Sequence, residues 1–399
     1  MSIPPAAVRV MMVNDHLGYA GGVIHGPARW FKNILPRFDP SHCQVELVIL
    51  GMEHPFAAEL ARVGVRPLFL KRSKWDPRAL LDLIGLLRRH RIDILHVMGM
   101  KGIILGRIAA RYVGCKVVVH FHDTQRMARP VRFVNGQLAG WTDLALSCAP
   151  AVAEVAEQDF AILRGKSLIL LNAIPVHEFS QERPAGRERV RAELGIGPAT
   201  RAIGMIGRLS PMKGHELALR AMAEVVARHP DVKLVIVGDG EMRPALEDLV
   251  RELHLEQAVI LTGQREDIPE VLAALDLVVF SSLWGEGHPL ACLEAIAAAK
   301  PVVAFDIAGP GDVVKHGETG LLVRKGDVRG LAEAITAAVD DRALYERMVA
   351  GCKQARDGFG LEQHLRKLEE LYHALRRGQP IEDMRRIAAG DNPLPPRLP

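Results

Sequence analysis

Glu286 and Glu294 stand eight residues apart in Glu286-Gly287-His288-Pro289-Leu290-Ala291-Cys292-Leu293-Glu294. Pro289 suits the start of a helix, so Glu286 falls in the preceding loop and Glu294 about one and a half turns inside. Two carboxylates at two heights suit paired hydrogen bonds from hydroxyl groups, one set on a sugar and the other on a ribose diol. A second cluster is Gly207-Arg208-Leu209-Ser210-Pro211-Met212-Lys213-Gly214-His215. Two cations five residues apart around a glycine turn, at a helix start, form a clamp for a diphosphate. Near the beginning, Gly21-Gly22 allows a close backbone approach and leaves N–H groups at the positive end of a helix, where a phosphate fits. A tight turn is the plainer reading of that pair. His122 follows the apolar run Lys116–Phe121; its imidazole suits a hydrogen bond to a substrate hydroxyl, or an ordinary polar strand end. His120 reads as structural and directed elsewhere, and Gly238-Asp239-Gly240-Glu241 as a structural turn.

These residues follow short apolar runs. In the first half the runs are Val8–Val13, Gln44–Leu50, Arg66–Leu70, Ile94–Val97, Lys116–Phe121, Asp143–Ser147 and Ser167–Leu171. In the second they are Arg201–Ile206, Val232–Val237, Ala258–Leu261, Leu277–Phe280 and Pro301–Phe305. Nearly continuous apolar character, rather than alternation, predicts parallel strands buried on both faces. Helical patterns between the runs predict two α/β, Rossmann-like, doubly wound parallel-sheet domains facing across a cleft, with ligands at the strands' carboxyl ends. The polar stretch Gln181–Thr200 places the boundary in the range 172–200. The expected division is residues 1–175, 176–380 and a disordered tail over 381–399, where Pro393, Pro395, Pro396 and Pro399 cluster. A closing helix is expected at about Gly360–Arg377, with its domain left open.

Composition narrows the class. The 399 residues are 49% hydrophobic and 25% charged, which excludes wholesale disorder, collagen and coiled coil. No apolar run reaches the roughly 20 residues of a membrane span. The start, MSIPPAAVRVMMV, reads as a first strand and not a signal peptide. Cys43, Cys115, Cys148, Cys292 and Cys352 form no CxxC pair, which fits a reduced cytoplasmic protein and argues against a disulfide framework or zinc site. Gly21-Gly22 lacks GxGxxG spacing, and Leu50 leads into Gly51-Met52 without an acidic residue, so NAD is disfavoured. Residues 1–165 hold 21 Lys+Arg against 13 Asp+Glu, and the chain's net +4 therefore sits in its first half. Lys71, Arg72, Lys74, Arg78, Arg88, Arg89, Arg91, Arg126, Arg129 and Arg132 make up much of the excess. A solvated helix face is one reading, peripheral contact with an anionic membrane another, and nucleic acid is not expected.

Taken together, these motifs resemble the retaining GT-B-fold glycosyltransferases of family 4 (glycosyl transferases group 1). The resemblance spans Gly21-Gly22, Gly207-Arg208-Leu209 with Lys213-Gly214, Val237-Gly238-Asp239-Gly240, the E-x7-E block and His316-Gly317-Glu318-Thr319-Gly320-Leu321-Leu322-Val323. It implies metal-independent transfer of a hexosyl group, with retention, from a nucleotide sugar to a glycan or lipid-linked acceptor in cell-surface polysaccharide or glycoconjugate synthesis. A UDP- or GDP-sugar is the expected substrate, and no cofactor is implied. By the same resemblance Arg208 and Lys213 hold the diphosphate, Glu286 contacts the donor sugar, Glu294 binds ribose, and His122 lies near the reacting side of the sugar. Gly21, Gly22, Gly207, Gly287, His288, Pro289 and Leu290 complete the donor set. The chain departs from the family where Glu-Gly-His-Pro replaces the common Glu-Gly-Phe-Gly, and where residues 306–312 read DIAGPGD. A nucleotide-sugar epimerase of similar fold and a non-catalytic sugar-nucleotide binding protein are the alternatives. The expected location is the cytoplasm, at the inner face of the membrane.

Overall fold

The computed structural model describes residues 7–18, 26–73, 76–162 and 164–389, which form two compact units. One holds the described residues up to Asn172 together with those from Leu361 to Ala389, and the other holds Ala173–Gly360. The first sheet contains β1 (Val8–Asn14), β2 (Cys43–Ile49), β3 (Leu68–Phe69), β4 (Ile94–Val97), β5 (Lys116–Phe121), β6 (Leu144–Ser147) and β7 (Ser167–Ile169). Its order is β3-β2-β1-β4-β5-β6-β7, and the paired strands run parallel throughout. The second sheet contains β8 (Arg201–Ile206), β9 (Val232–Val237), β10 (Val259–Gly263), β11 (Leu277–Phe280), β12 (Val302–Asp306) and β13 (Gly320–Arg324). Its order, β10-β9-β8-β11-β12-β13, is again parallel. In each sheet the strand order reverses beside the first strand. The doubly wound topology opens a crevice at that point, outside the carboxyl ends of β1 and β4, or of β8 and β11.

Strand periodicity fixes which side chains enter which core. In β8 and β9, Ile203, Met205, Leu234 and Ile236 pack against the helices on one face of the sheet. Ala202, Ile206, Val235 and Val237 pack on the other face, against helices that include Leu290–Ala297. Both faces are therefore dry, as continuous apolar runs require.

The structure alters several expectations. The run Arg66–Leu70 gives only the two-residue β3 at the sheet edge, and Pro67 just before it has no N–H to give to a ladder. The strand β13 was not expected; it pairs with β12 through Val302–Asp306. The closing helix, Leu361–Arg376, whose domain the sequence left open, belongs to the first unit, where Leu368, Leu371 and Tyr372 are fully buried. Residues 381–389 are a helix and not part of a disordered tail. Met384 and Ala388 are buried, and Lys367 Nζ donates to the carbonyls of Ala388 and Ala389 at 2.9 and 3.1 Å. Residues 390–399 lie outside the described residues. All five cysteines are thiols, and no helix among the described residues is long and apolar enough to cross a membrane.

Candidate functional site

The second unit gathers its chemistry beside β8 and β11. After β8 the chain turns through Gly207-Arg208-Leu209-Ser210, makes one tight 3-10 turn at Pro211–Lys213, and enters the helix His215–Arg228. Gly214 links the two at φ +62°, and a Cβ there would lie 2.1 Å from the Ser281 carbonyl oxygen. Glycine is required on both counts. Ser281, at the end of β11, donates through Oγ to the carbonyls of Lys213 and Gly214, and Leu283 N donates to Met212 O at 2.8 Å. The cation-bearing turn and the carboxylate-bearing loop are thus tied backbone to backbone.

Within that frame Lys213 Nζ lies 2.6 Å from Glu286 Oε1, and Ser282 Oγ donates to the same oxygen at 2.6 Å. Glu286 is 6% exposed, so its charge is held in a poorly hydrated place where an ion pair is strong. Gly309 closes the underside: at φ +93°, its Cβ position is 2.7 Å from Glu286 Cβ and 2.9 Å from Gly287 O. The divergent DIAGPGD segment therefore packs directly on the Glu286–Gly287 turn. Arg208 is half-buried in the neighbouring turn, and Gly287, His288 and Pro289 are buried. Pro289 precedes the helix Leu290–Ala297 as its N-cap, with ψ 116°, rather than serving as its first residue. Glu294 lies just over one turn inside, 2% exposed. His215 is buried, both ring nitrogens lacking partners, and burial pushes its pKa down to about 3.

In the first unit, β5 delivers His120 and His122, and the reading that sent His120 elsewhere is corrected. Residues two apart on a strand share a face, and the two rings sit 4.0 Å apart between centroids. His120 Nδ1 meets His96 Nε2 at 3.1 Å, and His96 Nδ1 meets the Tyr372 hydroxyl. Trp30 Nε1 donates to His364 Nε2 at 3.3 Å, which leaves the proton of His364 on Nδ1, donated to Leu171 O at 2.8 Å. His122 is held by the Asn172 side chain, while its Nε2 is buried and lacks a partner. Burial pushes His96 and His122 down to about 3 and His364 down to about 4. The whole cluster is neutral. Only His122 was singled out from sequence; Trp30, His96 and the closing-helix pair His364 and Tyr372 come from segments far apart in the chain.

Asp15 was also missed as a site-forming group, although it directly follows β1. It accepts the backbone N–H groups of Lys101 and Gly102 at 2.9 and 2.7 Å, and so caps the helix after β4 at the switch point. Burial raises its pKa against those hydrogen bonds. Gly21 and Gly22, proposed for phosphate approach, lie outside the described residues.

Comparison with known proteins supplies the context. Residues 186–355 match the model of "Glycosyl transferases group 1", and residues 24–178 match that of "Glycosyltransferase Family 4". The chain is 30% identical over 317 residues to an Escherichia coli UDP-Gal:alpha-D-GlcNAc-diphosphoundecaprenol alpha-1,3-galactosyltransferase, covering 74% of this chain and 79% of that protein. It is 27% identical over 280 residues to the lipopolysaccharide core biosynthesis mannosyltransferase LpsB of Rhizobium meliloti, covering 67% of this chain and 79% of that one. The crystal structure of Anabaena HepE with UDP and glucose superposes with a TM-score of 0.82 at 20% identity, over 92% of this chain and 100% of that one, and shares its two-sheet GT-B fold.

Proposed function

The chain belongs to the family 4, group 1 glycosyltransferases, and from that premise we propose that it moves a hexosyl group from a UDP-sugar to a lipid-linked saccharide. The donor site is the cluster beside β8 and β11, and the observation that carries this reading is the Lys213–Glu286 pair just ahead of the helix that bears Glu294. Lys213 and Arg208 meet the diphosphate and stabilise the charge that develops on the leaving group. Glu286 orients hydroxyls of the donor sugar, Glu294 accepts from the ribose diol, and Gly287–Leu290 bring backbone close to the donor. His122 offers a neutral imidazole to a sugar hydroxyl, its orientation set by Asn172 and His120. Cationic side chains take the place of a metal, and the sugar is transferred with retention of configuration at the cytoplasmic face of a membrane.

The nucleotide follows from relatives: one acts on UDP-Gal by its name, and one structural neighbour was crystallised with UDP and glucose. The lipid-linked acceptor follows from the diphosphoundecaprenol in the first of those names and from the basic first half of the chain. An epimerase would need no acceptor and a scaffold would need no charged cluster, so neither is favoured.

The test is incubation of a UDP-hexose, a polyprenyl diphosphate saccharide and the enzyme with a chelator. The reading expects UDP release dependent on acceptor, and a product whose anomeric proton coupling matches the donor's. Release of free epimerised sugar without acceptor, or activity abolished by chelation, contradicts it.

A further inference from the structure

The stretch 124–142 contains Arg126, Arg129 and Arg132 and no aspartate or glutamate. Its helix, Arg129–Leu138, buries only Asn135 and Leu138, and Asn135 Oδ1 accepts from the buried Arg107 Nη1 at 3.0 Å. The outward side carries Phe133, 70% exposed, and Val134, and the following 3-10 turn carries exposed Trp141. Phe133 on the helix and Trp141 on the turn that follows it are both exposed large rings within nine residues of chain. The helix Met100–Val113 packs beside this segment and ends in exposed Tyr112, with the Arg88 guanidinium 4.8 Å from its ring centroid. Arg126 and Arg132 share one buried acid, Asp159, at 3.2 and 3.3 Å and stay 59% and 45% exposed, so a positive excess remains. In the other basic stretch Lys71 is paired with Glu53, Arg72 with Asp82 and Arg78 with Asp76, each cation with its own acid. Exposed large apolar groups rimmed by arginines mark a docking face.

We propose that the helix Arg129–Leu138, with Trp141 and Tyr112, is a docking surface for an anionic lipid bilayer. Trp141 and Tyr112 enter the headgroup layer, where aromatic rings with one polar edge are favoured, Phe133 reaches the acyl boundary, and Arg126, Arg129 and Arg132 meet lipid phosphates. The three-arginine, acid-free composition selects an anionic membrane over an apolar protein partner. The proposal deepens the lipid-linked acceptor reading and rests on it, because it would place the first unit against the layer in which that acceptor is dissolved.

The full-length chain is sedimented with phosphatidylcholine vesicles, with and without phosphatidylglycerol, at low and high salt. Binding is expected with the anionic vesicles only, falling with salt, about 5-fold weaker in Arg129→Gln and at least ~10-fold weaker in Phe133→Ser/Trp141→Ser. Unchanged UDP binding and melting temperature show that the variants fold. Absent binding, or equal binding by the double variant, overturns the proposal. So does a wild-type dimer that the double variant dissolves, since the face is then a self-interface. Vesicle binding needs neither donor nor acceptor, so its failure is distinct from failure of the transferase reading.

Discussion

Lys213 Nζ and Glu286 Oε1 are 2.6 Å apart, so the cation and the carboxylate assigned to two parts of one donor are ion-paired with each other. A donor diphosphate reaching Lys213 must compete with Glu286, and a hydroxyl reaching Glu286 must compete with Lys213. Donor binding and rearrangement of this pair are therefore one event.

Removing either cation should be costly. Lys213→Ala or Arg208→Ala is expected to lower kcat by at least ~10²-fold, the loss typical of one preorganised charge-stabilising donor. Steady-state kinetics with saturating donor tests this, and near-normal turnover in both variants would remove the clamp assignment.

Glu286→Gln separates the two partners. Deleting the carboxylate charge releases Lys213, so UDP alone is expected to bind as tightly as before or a few-fold tighter, while kcat falls by at least ~10-fold. UDP affinity that falls in step with kcat would show that Glu286 acts on the nucleotide and not on the sugar.

Gly214 is fixed by geometry. At φ +62° and with its Cβ position 2.1 Å from Ser281 O, Gly214→Ala forces the turn away from β11. The expected destabilisation is at least about 2 kcal/mol, left-handed strain plus the clash, with loss of nucleotide binding. A melting temperature equal to wild type would mean that the two loops are not held together as described.

Acid should loosen the first unit before its carboxylates titrate. His96 and His122 are held down to about 3 and His364 down to about 4, against about 6.5 in the unfolded chain. Between these values the unfolded chain binds protons that the folded chain refuses. Stability is therefore full above about pH 6.5 and falls as pH drops toward 4, by up to about 1.4 kcal/mol per pH unit for each such histidine. Thermal melts between pH 7 and 5 measure it (range set by the ~6.5 reference value), and a flat profile would contradict a neutral buried cluster.

The legible parts of the molecule were those whose determinants are local. Runs such as Lys116–Phe121, Arg201–Ile206 and Leu277–Phe280 coincide with strands because burial on both faces leaves one continuous apolar signature. Lys213 and Glu286 stand in two short motifs that the sequence shows, although their meeting beside Ser281 and Ser282 was not legible. The histidine cluster was hidden for the opposite reason: Trp30, His96 and His120 lie on three separate elements and His364 and Tyr372 on a fourth, and only the strand order and the return of the closing helix bring them together. Exposed Phe133 and Trp141 were equally hidden, since nothing in an arginine-flanked apolar pair says which face looks outward.

The central claim is a nucleoside diphosphate site in the second unit built on Arg208, Lys213 and Glu294. Calorimetric titration of UDP, GDP, ADP and CMP into the purified protein, repeated with Glu294→Ala, tests it most directly. The account predicts selective binding of UDP, weakened by about 10- to 100-fold in the variant, the worth of charge-assisted hydrogen bonds to the ribose. Binding of none of the four, or UDP binding indifferent to the loss of Glu294, would contradict it.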